Sequence, residues 1–386
     1  MSDPRPGSGV AAMRDQAEAC AAMGSPMYAA LAERMADDLA AGGVVSEVLG
    51  PWAAAPASAA VTLRLLGGVH RLVLQRRAAE LAIWYPGVGG RFDPGESGDL
   101  DHLWQAFTAV CSAHGSELSA GLDQPPQTNE VGRSAALAGA LRYLVAEAAV
   151  GSGVAEAAGH AAPALPVALA EIGASAGLNL RPDRIRITSA DGTDEMGPAS
   201  APVVMAGGWD TPAPGVGHPS ARIVARAGCD RSPLDPLSAA DRLTLTSYTW
   251  PDQTNRLARL RGAFAMAAAE PVPIVRADAA DWVRELSPRL GRWTVLWHSV
   301  MWQYLSPHDA AATRAAVNAL GERASKTAPV AEVALEPLAL DQGARDRGSA
   351  GTTDPHFAVT VTIWTGGELR RVDLGRAPGH GIPVRW

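Results

Sequence analysis

One acid, one serine and two glycines at alternate positions, Glu171, Gly173, Ser175 and Gly177, are the densest chemical signal in the chain. They close an apolar run, Leu165 to Ala170, that carries no charge, and the chain then reopens into apolar residues. A run of this kind predicts a buried parallel strand, a tight turn and a helix start. Glycine is needed at Gly173 and Gly177 because a backbone that turns sharply, or approaches a ligand closely, has no room for Cβ atoms. Free N–H groups at a helix start would suit a nucleotide or another anion. Gly-x-Ser-x-Gly is also the spacing of a nucleophile elbow with Ser175 at its apex. A strand-to-helix crossover without a ligand has the same composition, so the residues alone leave three readings open.

Further acids fall where other strands should end. Arg222 to Asp230 reads as a strand closing on Asp230, and Pro271 to Asp278 as another closing on Asp278 and Ala279. In an open nucleotide-binding sheet the ligand crosses the carboxyl ends of the strands. A carboxylate there accepts two hydrogen bonds, which matches the vicinal diol of a ribose. Trp293 to His298 is a third such strand, followed by Trp302 and Tyr304. His298 is the candidate base, since an imidazole titrates near neutrality. Upstream, Asn129, Glu130 and Arg133 gather a donor, an acceptor and a positive charge in a polar stretch before an Ala/Leu helix. Helix capping accounts for one or two of these residues, and Arg133 also suits a carboxylate or phosphate on a substrate.

Glu171-Ile172-Gly173-Ala174-Ser175-Ala176-Gly177 resembles the first motif of class I S-adenosylmethionine-dependent methyltransferases, an acid followed by Gly-x-Gly-x-Gly. Gly228-Cys229-Asp230-Arg231-Ser232-Pro233 looks like the end of their second strand, and Arg276-Ala277-Asp278-Ala279 like the end of their third. The resemblance covers residues 164 to 376. It implies S-adenosylmethionine held by Glu171, Gly173, Ser175, Gly177, Asp230, Asp278 and Ala279, with Asp230 on the ribose and Asp278 and Ala279 at the adenine. If that cofactor binds, residue chemistry makes His298, Glu130 and Tyr304 the catalytic candidates and Asn129, Arg133 and Trp302 the substrate contacts, with Trp250 as a further wall. Ser175 stands where that motif has its middle glycine, and about fifty residues separate the turn from Asp230 where about twenty are usual. The whole chain also resembles an uncharacterised actinobacterial family of unknown function, through Thr128-Asn129-Glu130-Val131-Gly132-Arg133, the Glu171 motif and Gly228-Cys229-Asp230.

The expected reaction is transfer of a methyl group to a small-molecule acceptor, in line, with a histidine base. Three rivals share these residues. One is cyclisation or elimination on the same scaffold. Another is a hydrolase with Ser175 as nucleophile and His298, His308, His356 or His380 as partner. The third is a nucleotide-binding subunit without catalysis.

These residues need a sheet to hold them. The alternation of strands and helices from residue 164, closed by the β-runs Phe357 to Trp364 and Leu369 to Leu374, predicts an α/β doubly wound, Rossmann-like sheet of methyltransferase type. An all-helical domain over 11–150 precedes it, after a disordered tail over 1–10, and 183–219 reads as an insertion containing a hairpin. Asp99 is expected to cap a helix with Leu103, Phe107 and Val110 on one stripe. His70 lies on the apolar face of another helix, where a core role is expected.

The 386 residues are 47% hydrophobic, with a net charge of −7 and a single lysine, Lys326. An excess of acids excludes a broad nucleic-acid surface. The absence of Gly-x-x-x-x-Gly-Lys excludes that phosphate loop. Cys20, Cys111 and Cys229 are scattered, so neither a disulfide framework nor a thiolate metal site is expected. No uncharged apolar run reaches about 18 residues, which leads to the expectation of a cytoplasmic protein without a membrane partner.

Overall fold

Strands that alternate with helices must cover both faces of a sheet, and the chain folds in that way. The computed structural model describes residues 8–151, 165–338 and 357–386. Of the disordered tail expected over 1–10, residues 8–10 instead open the first helix, and 1–7 lie outside the described residues, as do 152–163 of the expected linker 151–163 and His356. The helices are α1 (Ser8–Ala22), α2 (Pro26–Ala41), α3 (Val44–Leu49), α4 (Val61–Leu74), α5 (Ala79–Ala82), α6 (Asp99–Gly121) and α7 (Ser134–Gly151). Then come β1 (Val167–Ile172), β2 (Arg186–Ser189), β3 (Glu195–Met196), β4 (Val204–Trp209), β5 (Ile223–Asp230), α8 (Ala239–Ser247) and α9 (Thr254–Ala269). The remainder is β6 (Ile274–Arg276), α10 (Ala279–Glu285), β7 (Trp293–Ser299), α11 (Pro307–Glu322), β8 (Val330–Pro337), β9 (Phe357–Trp364) and β10 (Leu369–Ala377).

Two units result. Residues up to Thr128, together with Ala239–Ala258, form a helical unit, whereas the sequence suggested a break within 151–163. Its core gathers Tyr28, Leu31, Met35, Leu65, Leu66, Phe107 and Trp250. Trp250 is therefore core here, beside Tyr28 with ring centroids 6.0 Å apart. Local signals set the helix ends. The Ser25 hydroxyl accepts from the Tyr28 N–H at the start of α2, and Gly42 ends that helix at a φ of 71°. Asp99 does not cap α6. Gly98 holds the cap position, and Asp99 Oδ2 instead accepts from the Asp93 amide at 3.2 Å, which ties down the preceding loop. His70 is a core residue, its Nδ1 3.1 Å from the Ser247 carbonyl, and burial lowers its pKa to about 4. The stretch Ala57–Leu74 is long and apolar enough to cross a membrane, but half of it is buried.

The second unit holds the sheet, in the order β10-β9-β8-β7-β1-β5-β6. Strands β6, β5, β1, β7 and β8 run parallel, and β9 and β10 close the sheet as an antiparallel pair. This is the expected α/β architecture. Every residue of β7 is buried, as for a central parallel strand covered on both faces. From β1 the chain runs to β5 and β6 on one side and later to β7 and β8 on the other, so the topological switch point lies between β1 and β7. One face of the sheet packs Ile172, Leu296 and Val330 against α10 and α11 through Val283, Val317 and Leu320. A separate three-stranded sheet, β3-β2-β4, falls within 183–219, and β2 and β3 are the expected hairpin.

Candidate functional site

The switch point has unusual backbone on both sides. After β1, Gly173, Ser175 and Gly177 adopt φ of 66°, 51° and 65°, and after β7, Val300 adopts 53°. Glycine enters this region freely, but a serine and a β-branched valine do so only under constraint. Gly173 also has to be glycine for space, because a Cβ there would stand 2.9 Å from the Met301 Cβ.

The turn after β1 does not open an α-helix. A short 3₁₀ turn, Leu178–Leu180, follows, and Pro182 then prevents a longer helix. The expected row of free helix N–H groups is absent for that reason. The Ala176 and Leu178 amides donate to Asn129 Oδ1 at 3.2 and 2.8 Å, and the Ser175 amide donates to Asp230 Oδ2 at 2.8 Å. The Gly177 amide reaches the Ala174 carbonyl at 2.7 Å. Asn129 thus pins the turn, and Asp230 faces it from the end of β5 while its Oδ1 accepts from the Ser232 amide at 2.8 Å.

Glu130 and Arg133 are also engaged locally. Glu130 Oε1 accepts from the Gly132 amide at 3.1 Å. Arg133 donates to the Gly379 carbonyl at 3.1 Å and to the Ser299 carbonyl, at the end of β7, at 3.3 Å. Asp278, half exposed at the end of β6, accepts from Arg231 at 2.6 Å, and Arg231 reaches on to Asp309 at 2.8 Å. Ala279 is buried at the first position of α10.

Two buried acids remain. Glu171 is 2% exposed on β1, and its register partner on β7 is Trp297. Burial pushes the Glu171 carboxyl well above the usual carboxylate range, against the opposing pull of the Trp297 indole and the Arg133 charge. Glu171 Oε2 and Trp297 Nε1 approach without reaching ordinary hydrogen-bond geometry, and both are sealed from solvent.

His298, 1% exposed, stands between two carboxylates. Its Nδ1 is 2.8 Å from Glu336 Oε1 and its Nε2 is 3.1 Å from Glu332 Oε1. Burial alone would lower its pKa, but the hydrogen bonds and charges of Glu332 and Glu336 outweigh it and raise the value to about 9. Glu332 is the converse. Burial would raise its pKa, and His298 with Arg314 holds it down at about 2. Both ring nitrogens of His298 are thus engaged by carboxylates, an arrangement that disfavours the base role expected of it and its pairing with Ser175. The Trp302 ring lies beside His298, with centroids 5.2 Å apart, and the Arg314 guanidinium stacks over it at 4.5 Å. Tyr304 is 66% exposed in the 3₁₀ turn Trp302–Tyr304.

Glu332, Glu336 and Arg314 escaped the sequence reading. Their one signal was a pair of acids four residues apart, hence on one face, in the otherwise apolar run Val330–Pro337. Among the described residues, no group of three or more His, Cys, Asp or Glu side chains could hold a metal ion.

No curated protein and no solved structure matches the chain. A family model described as "Uncharacterized protein conserved in bacteria (DUF2332)" matches residues 10–386, nearly the whole length. The match spans nearly every residue, and the chain belongs to this bacterial family.

Proposed function

We propose that the protein binds S-adenosylmethionine across the carboxyl ends of β6, β5, β1 and β7 and methylates a small-molecule acceptor. The observation that carries this reading is the Asp230 carboxylate, which ends the strand beside β1 and lies 2.8 Å from the Ser175 amide of the turn. A carboxylate at that place, next to a topological switch point, suits the two hydroxyls of a ribose. The residues fit such a ligand in one further way: Gly173 leaves its turn bare of a side chain. When bound, S-adenosylmethionine supplies a methyl group made electrophilic by its sulfonium. Asp230 and the turn would hold the nucleoside, with Asp278 and Ala279 beside the base, and Arg133 fixes the end of β7 through the Ser299 carbonyl. The formal charge of −7 supports a small molecule over a nucleic acid as acceptor.

Calorimetric titration with S-adenosylhomocysteine tests the reading. Wild type should bind, and Asp230→Asn should weaken binding by at least about tenfold, the loss of one charge-assisted hydrogen bond. Asparagine is chosen because alanine would leave the Ser175 and Ser232 amides without an acceptor. No binding to wild type removes the proposal. One observation favours a second reading, a nucleotide-binding subunit without methyl transfer: the amides of the turn are already satisfied within the protein. Binding without label transfer from methyl-tritiated cofactor, across a broad acceptor panel, would select it.

A further inference from the structure

The chain that leaves β7 passes over the neighbouring strand ends before it enters α11. The Met301 side chain lies against Gly173, the first glycine of the turn after β1. Further on, Asp309, in the first turn of α11, is bonded to Arg231, which follows the last residue of β5. Because β7, β1 and β5 are neighbours in that order, residues 301–309 run along the carboxyl ends of the strands that border the switch point. Gly173, Arg231 and Asp278 are exposed, so the mouth beside this segment is open to solvent.

Arg231 fastens the far end of the segment. Its guanidinium bonds Asp278 Oδ1 at 2.6 Å and Asp309 Oδ2 at 2.8 Å, and its carbonyl accepts from Arg276 at 2.9 Å. The Arg231, Asp278 and Asp309 side chains remain 51, 53 and 33% exposed, so this clasp is screened by salt and holds weakly. At the near end Val300 is held at a φ of 53°, which a β-branched residue adopts only under constraint. Met301 and Trp302 lean on the apolar cluster of the sheet face, whereas Gln303, Tyr304 and Ser306 are exposed. One 3₁₀ turn, Trp302–Tyr304, is the regular structure between β7 and α11. A segment with so few buried contacts opens at a lower free energy than the strands beneath it.

Resting on the proposed reading, we infer that residues 303–308 form a strap over the mouth of the S-adenosylmethionine site, fastened by Arg231 and released when Asp309 parts from it. A nucleoside lying across the ends of β7, β1 and β5 has to pass this segment on entering and on leaving. Val300 is the hinge, since its backbone is the constrained point where the segment begins. The clasp closes the mouth before and after binding, so it slows entry and exit together and leaves the affinity unchanged.

Asp309→Asn unfastens the strap from a position outside the nucleoside contacts. In the protein without ligand, the Tyr304 and Leu305 amides, which bond the Met301 and Trp302 carbonyls, should exchange hydrogen about threefold faster, the effect of one exposed ion pair, while those of β9 keep their rates. Stopped-flow tryptophan fluorescence with S-adenosylhomocysteine should show association and dissociation each accelerated by about threefold, with Kd changed by less than about twofold. Raising NaCl from about 0.05 to about 0.5 M should accelerate wild type in the same way and the variant much less. Unchanged exchange at the two amides, equal acceleration of exchange in β9, or unchanged binding rates beside faster local exchange would overturn the strap and leave the binding reading standing. A shift in Kd through one rate alone would overturn it as well. Wild type that binds no S-adenosylhomocysteine overturns both. If Asp309→Asn does not fold, Arg231→Gln opens the same clasp from β5, and both rates should rise together.

Discussion

Two carboxylates flank the His298 ring and raise its pKa, which makes it a reporter of stability. The folded state holds it near 9, above its ordinary 6.5, so its contribution to stability is complete below about 6.5 and is lost as pH rises through about 9. Glu332, held near 2 instead of 4.5, contributes fully above about 4.5 and loses that contribution as pH falls through about 2. The pair is therefore most stabilising between about 4.5 and 6.5. Urea unfolding of wild type should show stability falling between pH 6 and pH 10 by up to roughly 3 kcal/mol. His298→Gln should lack that fall. An unchanged pH dependence in the variant would mean that His298 is neutral in the folded protein.

At the scale of elements, the turn after β1 depends on a side chain distant in sequence. Asn129 Oδ1 receives two buried amides, Ala176 and Leu178. Asn129→Ala should orphan both and destabilise by roughly 2–4 kcal/mol, at about 1–2 kcal/mol per buried donor. Asn129→Asp keeps the acceptor and should cost much less. Hydrogen exchange gives the local readout: the Ala176 and Leu178 amides should lose protection in the alanine variant while those of β9 keep theirs. Equal loss in both places would show that Asn129 supports the whole unit and not the turn.

Across the whole molecule, three thiols report on the two units separately. Cys20 and Cys111 lie in the helical unit and Cys229 in the sheet, all at most 1% exposed, and burial pushes each up to about 12. Neither ionisation nor access favours reaction, so a thiol reagent at pH 8 should label the native protein slowly and all three residues rapidly in guanidinium. S-adenosylhomocysteine should slow labelling of Cys229, which adjoins Asp230, and leave Cys20 and Cys111 unchanged. Equal slowing at all three sites would indicate that ligand binding stabilises the two units as one.

Composition and periodicity determined the strands of the large sheet and the acids at their ends, because apolar runs are local properties of the chain, whereas β4, α8 and α10 were not legible. Glu171, Gly173, Gly177 and Asp230 were legible for that reason. Pairing decided the rest. The sequence could show His298 at a strand end, but only the register of β7 beside β8 brings His298 opposite Ala334 and so between Glu332 and Glu336. That adjacency raises the His298 pKa and holds the Glu332 carboxyl down. In the same way Asn129, read as a substrate contact, proved to hold the turn, because its partners are amides 47 and 49 residues further along the chain. A residue's type states which bonds it can form, and only the packing of distant strands settles which of them are formed.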